Sequence, residues 1–157
     1  MFKAGKLYYV SFLGMGWAQK FFLPPRRFGG ETMARLGYVT LGTNDLERAA
    51  AFYDELLGSI GHSRIFQDEN GFIAWGISLE EPALAITPPF DGRPASVGNG
   101  VMAAMNMDSR EGVDAFYAKA LELGATDEGP PGQRLEGFYA GYFRDLDGNK
   151  LNAFIFG

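Results

Sequence analysis

The chain contains no cysteine, and that absence alone removes several chemistries. Without thiols there is no disulfide framework, no thiolate zinc or iron–sulfur site and no cysteine nucleophile. Histidine is almost as scarce: His62 is the sole imidazole, so one chain cannot assemble the two-histidine centre of a non-haem iron oxygenase. Positive charge is thin as well. Fourteen Lys and Arg stand against 19 Asp and Glu, for a formal charge of −5, and basic residues cluster nowhere beyond Arg26-Arg27. The electrostatic footprint of a phosphate-backbone binder is missing. No apolar run approaches the ~18 residues that a membrane-spanning helix needs. Neither nucleic acid nor membrane is an expected partner, and a soluble, cytoplasmic protein is expected.

What is present suits a globular protein: 157 residues, of which 46% are hydrophobic and 21% charged, can bury one proper core. Residues 1–35 stand apart as an N-terminal extension. Lys3 and Lys6 precede an apolar stretch, Leu7 to Ala18, and Gly16-Trp17-Ala18 loosely fits a signal-peptidase site, as in an export signal. Against this, Ser11 and two glycines interrupt the stretch, and no period is sustained before the Pro24-Pro25 break, as in an unstructured extension. Met33 is a further candidate start, because Gly29-Gly30-Glu31 can be encoded by a purine-rich ribosome-binding sequence. A structural arm is the remaining reading.

From Leu36 the pattern sharpens. Gly37 to Gly42 is a β-like run, and Asn44-Asp45 caps a helix whose apolar positions Leu46, Ala49, Ala50, Phe52, Tyr53, Leu56 and Leu57 follow helical spacing. Gly61 ends that helix. Three short strands follow at His62–Gln67, Phe72–Ile77 and Ala83–Thr87, separated by Asp-Glu-Asn-Gly and Glu-Glu-Pro turns. This is one βαβββ unit. The second half repeats it: a strand Val101–Met107, a cap at Asp108 or Ser109, a helix through Val113, Phe116, Tyr117, Ala120 and Leu121 that ends at Gly124, then three more strands. Ala51-Phe52-Tyr53 recurs as Ala115-Phe116-Tyr117, 64 residues on, and Glu47 and Leu57 meet Glu111 and Leu121 at the same shift. The expectation is an α+β domain over 36–157, with modules at about 36–95 and 98–157 whose sheets close around a shared interior.

The segment Gly37-Tyr38-Val39-Thr40-Leu41-Gly42-Thr43-Asn44-Asp45-Leu46-Glu47-Arg48-Ala49-Ala50-Ala51-Phe52-Tyr53 resembles the opening of vicinal oxygen chelate proteins, the superfamily of glyoxalase I, bleomycin-resistance proteins and extradiol dioxygenases. Pro89-Phe90-Asp91-Gly92, Gly98-Asn99-Gly100 and Phe143-Arg144-Asp145-Leu146-Asp147-Gly148-Asn149-Lys150-Leu151-Asn152-Ala153-Phe154 resemble that superfamily's later landmarks, in order. The similarity runs from Leu36 to Gly157. It implies two tandem βαβββ modules of curved mixed sheets enclosing a cleft, in which the metal enzymes of the superfamily place His, His or Gln, and Glu. Here those positions read Tyr38, Met102 and Asn152. A phenol, a thioether and an amide replace the expected ligands, and they are poor donors for a catalytic divalent ion.

Strand alternation puts Tyr38, Thr40, Met102, Ala104 and Asn152 on the inward face, with Lys150 nearer the rim. Phe72, Trp75, Phe138, Tyr139 and Tyr142 are further aromatic candidates, and strand parity alone does not say which half of them points inward. The candidate ligand-binding set is therefore Tyr38, Thr40, Trp75, Met102, Tyr139, Lys150 and Asn152, with no metal, no cofactor and no assigned catalytic residue. Asp45, Asp108, Asp145 and Asp147 sit at caps and turns and are given structural roles. Glu80-Glu81 and Glu136 are loop carboxylates near the cleft mouth, and His62 is a half-exposed loop or strand-start residue. The function expected is a metal-independent, homodimeric binder of a small aromatic or apolar molecule. The rival is a glyoxalase-type lyase or isomerase using Tyr38 or Tyr139 as acid/base and Lys150 to hold an anionic substrate; a dioxygenase is disfavoured. A third reading is a structural or regulatory dimer whose cleft is filled by its own aromatics.

Overall fold

The computed structural model describes residues 36–157 and, as backbone, the two short strands Arg27–Phe28 and Glu31–Thr32. The chain divides into two units, 1–34 and 35–157. In the first, Arg27 pairs with Thr32 and Phe28 with Glu31 in an antiparallel ladder across the Gly29-Gly30 dipeptide. The signal-peptide and unstructured-extension readings of residues 1–26 lie outside the described residues.

In the second unit, β1 (Tyr38–Gly42) leads into α1 (Leu46–Gly58), followed by β2 (Ser63–Gln67), β3 (Ile73–Gly76) and β4 (Ala83–Thr87). The same succession returns as β5 (Ala103–Asn106), α2 (Arg110–Glu122), β6 (Thr126–Leu135), β7 (Phe138–Arg144) and β8 (Lys150–Phe156). Each module forms a four-stranded sheet, ordered β1-β4-β3-β2 and β5-β8-β7-β6. The outer pairs β1/β4 and β5/β8 are parallel and the rest antiparallel. Parallel partners need a long crossover, and in each module the helix and two strands supply it. Both helices begin where the side chains dictate. The Asp45 carboxylate accepts from Arg48 N–H at 3.0 Å and the Ser109 hydroxyl from Gly112 N–H at 3.0 Å, each quenching a donor that the first turn leaves open. Among the described residues no helix is long and apolar enough to cross a membrane.

One face of each sheet receives its helix. In module one Leu41, Trp75, Leu84 and Ile86 meet Phe52, Tyr53, Leu56 and Leu57; in module two Ala103, Phe143, Leu151 and Ala153 meet Val113, Phe116 and Ala120. These side chains form a single buried cluster spanning both modules, so the interior that the modules share is built from their helix-bearing faces. The joint between them is polar. Tyr53 Oη donates to the buried Asp145 carboxylate at 2.7 Å, Thr43 Oγ1 to Asp147 at 2.7 Å, Asn44 N–H to Asp147 at 2.9 Å, and Asn149 Nδ2 to the Gly42 carbonyl at 3.0 Å. The Asp145-to-Asn149 turn of module two is thereby clamped under the start of module one.

Candidate functional site

The faces that carry no helix are where a ligand has room. Register identifies their residues: Tyr38 pairs with Ala83 and Thr40 with Ala85, which in turn pairs with Ala74, which faces Phe66. Across the equivalent row of module two, Ala104 pairs with Asn152, Asn152 with Tyr142, and Tyr142 with Gly129. Where the first module has the row Thr-Ala-Ala, the second therefore has Ala-Asn-Tyr. Ala74, Ala85 and Ala140 are buried yet stand outside the helix-side core cluster, as floor residues of these open faces should. Over the alanine floor of module one lie three rings: Tyr38 meets Phe72 edge-on at 5.6 Å, and Phe72 meets Phe66 at 5.9 Å. Module two carries its own aromatic group, with Phe138 at 5.7 Å from Phe154 and 4.8 Å from Phe156.

The polar part of the second face is a cation–carboxylate–ring assembly. Arg144 donates from Nε at 2.9 Å and from Nη2 at 2.5 Å to Glu128, and from Nη1 to the Gly148 carbonyl at 2.8 Å. Lys150 Nζ lies 3.2 Å from the same carboxylate and 5.4 Å from the Tyr142 ring centre, over which Arg134 also sits at 5.3 Å. Hydrogen bonds from Arg144, reinforced by Lys150, hold Glu128 below the usual carboxylate range. Beside this assembly opens a cavity of about 560 Å³ lined by the loop Val97 to Val101, Met102, Arg144 and Lys150. Asn152, two residues further along β8, is 1% exposed, and its Oδ1 has no hydrogen-bond partner among the described residues.

Of the residues expected to bind ligand, the structure groups Tyr38 and Thr40 on the open face of module one, and Met102, Lys150 and Asn152 on that of module two. It turns the other two away. Trp75 is fully buried under α1 with its indole N–H donating to Asp54 at 2.9 Å. Tyr139 pairs with Ile155 on the helix-bearing face, where its hydroxyl donates to Asp114 at 2.8 Å beneath the Arg110 guanidinium. That hydrogen bond to Asp114 raises the Tyr139 pKa. The physical reason is parity. Strand entry points could be placed only to within a residue or two, and a one-residue offset exchanges the faces. Phe72, Phe138 and Tyr142 take the inward places instead. His62 follows the end of α1, with its Nδ1 buried and without a hydrogen-bond partner among the described residues, and burial lowers its pKa.

Arg144, Glu128 and Ala85 belong to these faces and were not singled out from the sequence. Ala85 was detectable in principle, since it occupies in module one the register place of Asn152. Arg144 and Glu128 give no sequence signal, because their meeting depends on the pairing of β6 with β7. The donor set offered by Tyr38, Ala85, Met102 and Asn152 does not fit a catalytic divalent ion, which needs several carboxylate or imidazole ligands converging at about 2.0–2.2 Å. Among the described residues no three His, Cys, Asp or Glu side chains gather as a metal site would require.

Comparison with known proteins agrees with this architecture. The family model described as Glyoxalase/Bleomycin resistance protein/Dioxygenase superfamily matches residues 35–153. A crystal structure of a glyoxalase/bleomycin resistance protein from Albidiferax ferrireducens T118 is 36% identical, with a TM-score of 0.71 over 78% of this chain and 98% of that one. A glyoxalase-related enzyme from Fulvimarina pelagi is 22% identical, with a TM-score of 0.62 over 78% and 88% of the two chains. Lactoylglutathione lyase from Agrobacterium tumefaciens is 19% identical, with a TM-score of 0.59 over 80% and 96%. The last two are similar in fold alone. No protein of curated function matches the chain.

Proposed function

This chain belongs to the Glyoxalase/Bleomycin resistance protein/Dioxygenase superfamily, and from that premise we propose that it binds a small, partly aromatic molecule on its open sheet faces without a catalytic metal. The observation that carries the reading is the set of side chains in equivalent register places, Tyr38 and Ala85 in one module, Met102 and Asn152 in the other. They offer a phenol, a methyl, a thioether and an amide, which suit contact with a planar molecule and one or two hydrogen bonds. Rings bordering both faces support it. A metal-bound carboxylate moving a substrate proton is unsupported where Asn152 stands, and with Tyr139 held by Asp114 the lyase reading keeps only Tyr38 as its acid/base. The homodimer is part of the proposal: Leu135 and Phe156, each 70% exposed at the end of the second sheet, would gain cover in a symmetric pair.

Thermal unfolding tests the proposal. Planar aromatic molecules at a hundred times their dissociation constant should stabilise the protein by about 2.7 kcal/mol, while added nickel or zinc leaves the melting temperature unchanged. Stoichiometric uptake of either metal at these positions, or turnover of a hemithioacetal, would overturn it and put the lyase first.

A further inference from the structure

The loop between the modules and the start of β8 border the cavity of about 560 Å³, and its lining combines two kinds of side chain. Arg144 and Lys150 bring positive charge, while Val97, Val101 and Met102 bring apolar surface, 45, 56 and 42% exposed. The loop is fitted to this place. Gly148, whose carbonyl accepts from Arg144 Nη1, has no side chain, and a Cβ there would stand 3.0 Å from Val97 Cγ2. Val97 therefore packs against the turn that holds Arg144, and the apolar and cationic walls belong to one pocket. Part-exposed apolar side chains gathered beside cations in a concavity suit a ligand that has both characters.

The charge at this pocket is unbalanced. Glu128 is the extra residue where the register of β6 on β7 shifts, between Asp127 opposite Phe143 and Gly129 opposite Tyr142. Bulges of this kind re-aim a side chain. Asp127 accepts from the Tyr117 hydroxyl, while the Glu128 carboxylate meets Arg144 Nε at 2.9 Å and Lys150 Nζ at 3.2 Å. Among the described residues Glu128 is the one carboxylate within ion-pair distance of either cation. Two cations against one anion leave a single positive charge at the cavity wall. A guanidinium has five N–H donors and an ammonium three, and the Glu128 and Gly148 oxygens engage only part of them. One further negative charge completes the balance, whereas a second would stand near Glu128 with no cation to answer it. Resting on the binding reading above, we infer that this cavity receives a small monocarboxylic acid with an apolar body. The carboxylate meets Lys150 and Arg144, and the body lies against Val97, Val101 and Met102.

Titration calorimetry of the full chain tests the inference with four matched probes: phenylacetate, its neutral amide phenylacetamide, benzylphosphonate as the dianion, and acetate. Phenylacetate should bind tightest, with loss of its charge, addition of a second charge and loss of its ring each weakening binding about tenfold. Lys150→Met should bring the affinities of acid and amide close together. Glu128→Gln removes the competing carboxylate, so it should tighten phenylacetate about tenfold and make benzylphosphonate the preferred ligand. That gain is one that damage to the fold does not produce, and the probe series on the unaltered protein is decisive even where a variant fails to fold. If phenylacetamide binds as tightly as phenylacetate, or the dianion binds more tightly, the inference fails while the reading of a planar ligand stands. If acetate binds as tightly, the cavity takes an adventitious ion only and the inference fails as well. If none of the four binds at millimolar concentration, both readings fall.

Discussion

Asp145 shows how much one side chain can carry. Its carboxylate, almost wholly buried, accepts from Tyr53 Oη at 2.7 Å, from the N–H groups of Asp147 and Asn149 at 3.0 and 2.8 Å, and from Asn149 Nδ2 at 2.9 Å. Removing one donor leaves the rest intact but costs a charge-assisted bond, so Tyr53→Phe should lower unfolding free energy by about 1.5–3 kcal/mol in urea titrations. The tyrosines also set the alkaline limit. Tyr117, bonded to Asp127 at 2.7 Å, has its pKa pushed up to about 12 by burial and by that carboxylate, and Tyr53 is raised by burial and by Asp145. A phenol raised in the folded state stabilises it fully below the unfolded value near 10 and loses that contribution as pH climbs through the folded value. Stability should therefore decline between about pH 10 and pH 12, and phenolate absorbance of Tyr53 should emerge only with unfolding. Emergence of all phenolates together, before the circular dichroism changes, would contradict this. Asn152 marks the opposite case, with an Oδ1 for which the described residues provide no partner.

At the scale of elements, α1 and its cap were readable because the signals are local. Asp45, the apolar positions from Ala49 to Leu57 and the Gly61 stop lie within one stretch of chain, and Asp45→Ala should cost about 1 kcal/mol, measurable in the same titrations. The cap of α2 resolves to Ser109 rather than Asp108, since Ser109 supplies the oxygen to Gly112 N–H. Strand faces were less accessible. Trp75 and Tyr139 were expected inward and lie under the helices, because alternation has two solutions and only the packed partner chooses between them. The last sheet strand, β6, shows why edge strands read poorly. It contains Pro130 and Pro131 and pairs with β7 through repeated register shifts, tolerable only at an edge. Gly141 of β7 makes room for it: a Cβ there would stand 2.9 Å from Pro131 Cγ and 3.3 Å from its backbone nitrogen. Gly141→Val should cost about 1–3 kcal/mol and speed amide exchange in β7; unchanged exchange would show that β6 shifts aside freely.

For the whole molecule, the two repeated units form the tandem-module fold of two four-stranded mixed sheets that the repeat implied. The hydrophobic core they share lies on the helix side, and the polar clamp around Asp145 and Asp147 joins them. Asp147→Ala removes the bonds to Thr43 Oγ1 and Asn44 N–H, both between modules. It should lower the urea midpoint by the equivalent of about 2–4 kcal/mol, with a coincident loss of helix and of Trp75 burial if the modules unfold as one. Two separate transitions in the unaltered protein would show that the modules are independent.

The amino-acid sequence by itself determined the repeat, the βαβββ order, the helix caps and the loss of metal-ligating side chains, because each is written in residue identities at short or fixed spacings. Tertiary structure alone decided which rings face outward from the helices, that Arg144 and Lys150 converge on Glu128, and that Asn152 Oδ1 has no donor among the described residues. Those outcomes depend on strand register and on the pairing of segments distant in the chain, and neither is encoded in any one segment.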